Sequence, residues 1–202
     1  GKVTKKKYMD LLKGISNGCK ISKCYLAGGE TAEMPGIYQN DKFDMAGFAV
    51  GIVDKNKILD GKKITKDNLL LAVPSSGLHS NGFSLVRHIL KLKKINNKKF
   101  LKQLLEPTKI YASEILKLHE KKLINGCCNI TGGGIIENLP RVIPKGKAAE
   151  INLEKIKPGK IFSFLKQNNI SDKEMLKTFN CGVGFCLIIN KKNLEKVQNI
   201  FH

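Results

Sequence analysis

Residues 69–90 read LLLAVPSSGLHSNGFSLVRHIL, and this stretch decides the fold. The apolar run at 69–73 predicts a buried strand. Residues 83–90 carry apolar side chains at helical spacing, with Ser80 or Asn81 as the expected N-cap. The small residues between strand and helix bring backbone N–H groups close to a ligand, and the helix N-terminus favours an anion. This order predicts an anion-binding loop between a strand and a helix.

Further glycine clusters share this character. Gly28-Gly29-Glu30-Thr31 follows a short apolar run at 24–27, and Thr131-Gly132-Gly133-Gly134 precedes a short helical stretch. Residues 180–184 read NCGVG and open another apolar run. Glycines also mark ordinary tight turns, and no cluster matches the P-loop or the dinucleotide fingerprint. Several clusters at strand ends nevertheless favour a phosphorylated ligand.

Helical and strand patterns alternate along the rest of the chain. Residues 4–22 have the spacing of an amphipathic helix, while 24–27 and 43–53 read as strands. The segment 54–67 is polar and turn-rich, so we place a domain boundary there. A capping box begins at Ser171. This alternation is typical of an α/β or α+β layout.

The net charge of +19 would ordinarily suggest a nucleic-acid partner. Arginine, the residue preferred for bidentate phosphate contacts, occurs only at Arg87 and Arg141. Aromatic residues make up 6% of the chain and there is no Trp, so no stacking platform is evident. We interpret the lysines as a biased, solvated surface and expect no nucleic-acid partner.

The sequence argues against a membrane protein and against two kinds of cysteine chemistry. No apolar run reaches the roughly 18 residues that a bilayer requires, so we expect no membrane association. The six cysteines show no C-x-x-C spacing, which argues against zinc ribbons and thioredoxin chemistry. We expect most of them to be small buried side chains in a reducing cytoplasm.

Six collinear blocks together resemble the aminoimidazole ribonucleotide synthetase family, also called phosphoribosylformylglycinamidine cyclo-ligases. The combination of GGETAEMPG with SSGLHSNG favours this family over its relatives. The relatives, which stay as alternatives, are thiamine-monophosphate kinase, selenide water dikinase and formylglycinamide ribonucleotide amidotransferase. The blocks are GGETAEMPGIY at 28–38, FDMAGFAVGIV at 43–53, PSSGLHSNGFSLVR at 74–87, LLEPTKIY at 104–111, ITGGGIIENLPRVIP at 130–144 and EMLKTFNCGVGF at 174–185.

The resemblance implies a two-domain fold and a homodimer built by the N-terminal domains. Residues 1–56 would be the remainder of an N-terminal ATP-binding and dimerisation domain, and 57–202 most of the C-terminal domain. The implied reaction is the closure of formylglycinamidine ribonucleotide to aminoimidazole ribonucleotide in purine biosynthesis. ATP phosphorylates the formyl oxygen, a nitrogen attacks that carbon, and phosphate leaves.

The candidate site residues fall in the glycine-rich loops. His79 is the candidate for proton transfer because its ordinary pKa lies near neutrality, with phosphate binding or a structural role as alternatives. Glu30 is the candidate Mg²⁺ ligand, with Glu33 as the alternative. Gly28, Gly29, Glu30 and Thr31 are expected to bind ATP. The expected substrate-binding residues are Ser75, Ser76, Gly77, Ser80, Asn81, Gly82, Thr131, Gly132, Gly133, Gly134 and Arg141.

The chain departs from the family pattern in two respects. Asn129 stands where the family usually has His before the Thr-Gly-Gly-Gly motif. The family's upstream glycine-rich start and its aspartates, which help to hold magnesium and ATP, have no counterpart here.

We therefore expect this chain alone not to catalyse the ring closure. ADP release should stay at background when the chain is mixed with ATP, Mg²⁺ and formylglycinamidine ribonucleotide. Turnover comparable to that of an intact family member would contradict this expectation.

Overall fold

The computed structural model describes residues 3–39 and 42–201. The chain divides into two compact units, Gly1–Ile58 and Leu59–His202. Each unit is described by itself. The assignment of these units to domains of a two-domain enzyme stays a prediction.

The first unit contains one long helix, α1 (Lys5–Ser22). The Thr4 side chain caps it by accepting a hydrogen bond from the Lys7 N–H, and the helix ends at Lys23 in the left-handed conformation. No residue of α1 is buried, although the sequence pattern predicted one apolar face. A 3-10 turn, Lys55–Lys57, closes the unit.

The strands predicted at 24–27 and 43–53 are wrong. Both segments run without strand pairing, and their apolar side chains lie in solvent. Tyr25 is 99% exposed, Phe48 100% and Val50 97%. The apolar pattern is that of a strand, but a strand needs a hydrogen-bonded neighbour, and no described residue pairs with these segments.

The second unit is built on a three-stranded antiparallel sheet. Its strands are β1 (Asn68–Pro74), β2 (Gly126–Asn129) and β3 (Val183–Asn190), in the order β1-β3-β2. Leu71 lies opposite Leu187 in one pairing, and Cys128 lies opposite Cys186 in the other. The strands predicted at 69–73 and after the 180–184 cluster are confirmed.

Seven helices surround this sheet in the described part of the second unit. The helix predicted after the His79 loop is confirmed, but its N-cap is Gly82 with φ 75°, and no side chain caps it. The capping box is confirmed at Ser171, whose Oγ accepts the Glu174 N–H at 3.2 Å. The helices are α2 (Phe83–Leu92), α3 (Lys98–Leu104), α4 (Ala112–Glu120), α5 (Gly134–Asn138), α6 (Lys160–Lys166), α7 (Asp172–Thr178) and α8 (Leu194–Phe201).

The central strand β3 is buried on both faces. Leu187 and Ile189, both fully buried, pack with Leu118 of α4 and Val197 of α8. Cys186 faces the other side and packs with residues that follow β2. A strand covered on both faces carries a continuous apolar run, which is why the run at 185–189 predicted it.

The fold class is confirmed as a mixed helix and strand fold with a small antiparallel sheet. Among residues 3–39 and 42–201, no helix has both the length and the apolar character that crossing a bilayer requires.

Replacing a buried leucine of β3 should destabilise the second unit. Leu187→Ala removes a side chain with 0% exposure and should lower the free energy of unfolding by about 2–5 kcal/mol. Leu116→Ala is the matched control, because Leu116 is 54% exposed and its loss should change stability by roughly 0.5 kcal/mol at most. Urea titrations of both variants measure the difference, and equal losses would contradict the assignment of β3 to the core.

Candidate functional site

The glycine-rich loops of the second unit meet at one end of the sheet. Strands β1 and β2 end there and β3 begins there, because both are antiparallel to β3. The Ser75 N–H donates to Gly182 O at 2.9 Å, and the Ile130 N–H donates to Gly184 O at 3.0 Å. A Cβ on Gly132 would lie 3.6 Å from Asn81 Oδ1, so loops 75–82 and 131–134 are in contact.

Asn180 joins the 75–82 loop to the turn before β3. Its side chain is fully buried. Nδ2 donates to Gly77 O at 2.8 Å, while Oδ1 accepts from the Gly182 N–H at 2.8 Å and from Ser75 Oγ at 3.1 Å. One amide thus satisfies polar groups on both segments and fixes the distance between them.

Asn138 does the same for the 131–134 loop. It is buried at the end of α5, where its Nδ2 donates to the carbonyls of Thr131, Gly132 and Gly134 at 3.3, 3.0 and 2.8 Å. Its Oδ1 accepts from Thr131 Oγ1 at 3.0 Å. The loop therefore wraps around a single amide, and the Thr131 hydroxyl is used inside the protein.

The segment 106–111 covers the 75–82 loop from another side. Ser76 Oγ donates to Pro107 O at 2.7 Å, and Tyr111 Oη donates to Pro74 O at 2.8 Å. Ser80 Oγ lies 3.4 Å from Thr108 Oγ1. The hydroxyls of Ser75 and Ser76 are thus engaged within the protein.

Three backbone donors of the 75–82 loop stand out. Gly77, Leu78 and His79 are buried, yet their N–H groups donate to none of the residues that the structure describes. Nearly all buried N–H groups in proteins have a partner, so donors of this kind indicate a site for an anionic or carbonyl ligand or for ordered water. Anion binding by this loop stays a prediction.

His79 lies inside the loop with φ 57° and is 5% exposed. Its Nε2 accepts the Ser76 N–H at 3.2 Å, so this nitrogen carries no proton and the imidazole is neutral. Burial lowers the pKa of His79, which favours the same neutral form. An added Cβ on Gly184 would lie 2.8 Å from His79 Cε1, so only glycine leaves room for the ring.

A cleft of about 460 Å³ adjoins the first residues of the loop. Ser75, Ser76 and Gly77 line it, and so do Glu106, Lys157 and residues 159–162. Lys157 and Lys160 give it positive charge, and Glu106 contributes one carboxylate. His79 is not among the lining residues. The cleft suits a ligand that has both an anionic group and hydrogen-bond donors.

The remaining predicted site residues are exposed. Arg141 ends a 3-10 turn and lies close enough to Cys128 to oppose the rise of that thiol's pKa, which burial brings to about 11. Gly28, Gly29, Glu30 and Thr31 belong to the first unit, where each is solvent-exposed. A Cβ on Gly28 or Gly29 would meet nothing within 4 Å.

A complete magnesium site is not present among residues 3–39 and 42–201. No group of three or more His, Cys, Asp or Glu side chains in that part of the chain is placed to hold a metal ion. Glu33, the alternative ligand, accepts the Val3 N–H at 2.9 Å. Glu30 would be a single carboxylate, which fits Mg²⁺ only where nucleotide phosphates and waters supply the other oxygens.

Sequence reasoning missed the two asparagines that shape the site. Asn138 lies in the block at 130–144 and Asn180 in the glycine cluster at 180–184, but neither was predicted as a site residue. A signal was present for Asn180, which is a polar residue flanked by apolar ones in FNC. Such a residue is buried only when its amide is fully hydrogen-bonded.

The fold and these loops define an α/β domain whose glycine-rich loops meet at one end of an antiparallel sheet. Residues 65–202 match the family model described as AIR synthase related protein, C-terminal domain. The chain belongs to this family.

Similar proteins carry a more specific name. The chain is 46% identical over 210 residues to a phosphoribosylformylglycinamidine cyclo-ligase of Prochlorococcus marinus (strain MIT 9312), a match covering 99% of this chain and 60% of that protein. It is 45% identical to the protein of the same name from Bacillus cereus (strain G9842), with 99% and 61% covered. For that from Clostridium perfringens (strain 13 / Type A), identity is 46%, with 98% and 60% covered. The chain thus spans about 60% of the length of these curated relatives.

Removing the Asn180 amide should loosen the site. Asn180→Ala leaves the Gly182 N–H without its partner and Gly77 O with Ser75 Oγ alone, and should lower the free energy of unfolding by about 1–3 kcal/mol. Asn129→Ala is the control, since Asn129 is exposed at the end of β2. Urea denaturation measures both, and an Asn180 effect no larger than the control's would contradict its role.

The neutral state of His79 should make stability fall in mild acid. Its pKa is lowered in the folded state from the ordinary value of 6.5, so the folded form binds its proton less readily than the unfolded form. Its contribution is therefore fully present above pH 6.5 and is lost as pH falls through the folded pKa. Protonation of His79 Nε2 would also place its N–H opposite the Ser76 N–H, so the hydrogen bond between them would be lost.

Comparison of three proteins between pH 7.5 and 5 tests this pH dependence. His79→Asn keeps a residue that tolerates positive φ but does not titrate, so its unfolding midpoint should fall less than that of the wild type. His88→Asn, at an exposed position of α2, should follow the wild type. Parallel curves for wild type and His79→Asn would refute the assignment.

Proposed function

We propose that the protein carrying this chain closes formylglycinamidine ribonucleotide to aminoimidazole ribonucleotide in purine biosynthesis, with ATP converted to ADP and phosphate. The observation that carries the proposal is the set of free, buried N–H groups at Gly77–His79, where loops 75–82 and 131–134 meet. Support also comes from the relatives named as cyclo-ligases, which match nearly the whole of this chain. We place the reaction in the cytoplasm, where thiols stay reduced.

The substrate offers groups that these loops suit. Its ribose phosphate is a dianion, and backbone N–H groups at strand-to-helix loops bind such anions without a charged side chain. Gly77, Ser80, Asn81 and Gly82 would bind it on one loop, and Thr131, Gly132, Gly133 and Gly134 on the other. Ser75 and Ser76 would act by shaping the first loop, and Arg141 would add a phosphate contact.

The chemical difficulty of the reaction is the formyl oxygen, which is a poor leaving group. Phosphorylation by ATP turns it into phosphate, and the attacking nitrogen must then lose a proton. We propose His79 for that proton, because it is the one histidine within the loops and its neutral form can accept one. Since Nε2 accepts the Ser76 N–H, this nitrogen becomes available only when that hydrogen bond opens.

For ATP, the proposal relies on the first unit. Gly28, Gly29 and Thr31 would contact the phosphates, and Glu30 would contribute one oxygen to Mg²⁺ held mainly by the nucleotide. Magnesium supplies charge neutralisation between the phosphates when bound. A homodimer is part of the same proposal.

A chimera tests the proposed function. The matched region of the Bacillus cereus relative is replaced by this chain, and formation of aminoimidazole ribonucleotide is followed together with ADP release. We expect turnover within about tenfold of the parent relative. A chimera that folds but converts no substrate would overturn the proposal.

In an active chimera, His79→Ala distinguishes between the possible roles of the histidine. Loss of a proton carrier should lower kcat by roughly 10²–10⁴-fold. A rise in KM with kcat kept would show instead that His79 serves substrate binding. His88→Ala is the control and should leave both constants unchanged, and values near the unsubstituted chimera for His79→Ala would make His79 a structural residue.

A further inference from the structure

Cys19 and Cys24 of the first unit lie next to each other at the end of α1. Lys23 takes the left-handed conformation with φ 56° and ψ 38°, which turns the chain back on the helix. The Cys24 N–H then donates to Cys19 O at 3.0 Å. The Cys24 side chain lies close enough to Cys19 to raise the pKa of the Cys19 thiol, to which burial contributes more.

Cys24 is the one cysteine in the described part of the chain that is exposed. Cys19 and Cys127 are half-buried, and Cys128, Cys181 and Cys186 are buried. Burial raises the pKa of Cys186 to about 12 and that of Cys181 to about 11, which keeps those thiols protonated and unreactive. The pair at the end of α1 is therefore the place where a small oxidant meets two adjacent thiols.

We propose that Cys19 and Cys24 form a redox-active dithiol that closes to an intramolecular disulfide by exchange with a small-molecule disulfide such as oxidised glutathione. The Cys24 thiolate attacks one sulfur of glutathione disulfide and releases one glutathione thiolate. The Cys19 thiolate then attacks Cys24 Sγ, displaces the second glutathione and forms the Cys19–Cys24 bond. Two protein thiols are oxidised, one disulfide is reduced to two thiols, and the two protons pass to the released glutathiones.

The backbone brings the two residues together. A disulfide requires Cα atoms about 4.4–6.8 Å apart, and the turn at Lys23 holds the two residues together by a direct hydrogen bond between their backbones. Because the pKa of Cys19 is raised, chiefly by burial, the exposed Cys24 is the thiol that attacks first.

Peptide mapping after oxidation tests the proposal on the native 202-residue chain. The chain is treated with glutathione disulfide, its remaining thiols are alkylated, and trypsin is used to cut after Lys20 and Lys23. We expect two peptides joined through Cys19 and Cys24 that separate on reduction. Stable glutathione adducts on these residues, or unmodified thiols at both, would overturn the proposal.

Variants of Lys23 test whether the left-handed turn at this residue favours the disulfide, beyond the exposure of the two thiols. Lys23→Gly accepts the left-handed conformation and should keep the equilibrium between thiols and disulfide unchanged. Lys23→Val disfavours that conformation and should lower the disulfide-to-dithiol ratio about tenfold at a fixed glutathione ratio. Cys127→Ser is the control for the other thiols and should have no effect. Equal ratios for Lys23→Gly and Lys23→Val would show that the turn does not create the dithiol.

Discussion

The candidate site depends on one buried amide group, that of Asn180. A fully buried amide is tolerated only when its donors and acceptor are used, and here they are used on two chain segments far apart in sequence. The consequence is that the first residues of the 75–82 loop are held against the turn before β3. With the hydroxyls of Ser75 and Ser76 already engaged, the N–H groups of the next residues are left pointing to no protein partner. Nearby acceptors such as Asn180 Oδ1 and Pro107 O already bind other donors, so the N–H groups of residues 77–79 have no acceptor among the described residues.

The same logic appears at the second loop. Asn138 binds the carbonyl groups of the 131–134 segment, so the carbonyls turn toward the protein. When carbonyl groups turn inward, peptide N–H groups of a segment can face outward, which is how backbone concavities for anions arise. In this segment the Gly134 N–H is already used, because it donates to Thr131 O. The anion binding proposed for the two loops therefore relies on their other backbone groups and not on the large positive charge of the chain.

Local patterns in the sequence predicted the elements that local physics controls. The strand before the SSGLHSNG loop, the helix after it and the helix capped by Ser171 follow from runs of apolar residues and a capping side chain. The strands predicted at 24–27 and 43–53 in the first unit are not formed. A strand needs a hydrogen-bonded neighbour, and the periodicity of a segment does not show whether it has one. The four-residue β2 was too short to give a pattern. The site motifs were visible as glycine clusters, but Asn180 acts on Gly77 across more than a hundred residues, and no local pattern identifies that partner. Asn138 acts within its own segment, on carbonyl groups four to seven residues away.

The exposed apolar segment of the first unit has a consequence for how this chain behaves in concentrated solution. Phe48, Val50 and Ile52 are each at least 97% exposed, and residues 48–53 contain no charge and no proline. A stretch of this composition is a template for intermolecular β-pairing. At low ionic strength the net charge of +19 keeps molecules apart. At 0.1 M salt the repulsion reaches only about 10 Å, so added salt should shift the colloidal balance toward self-association.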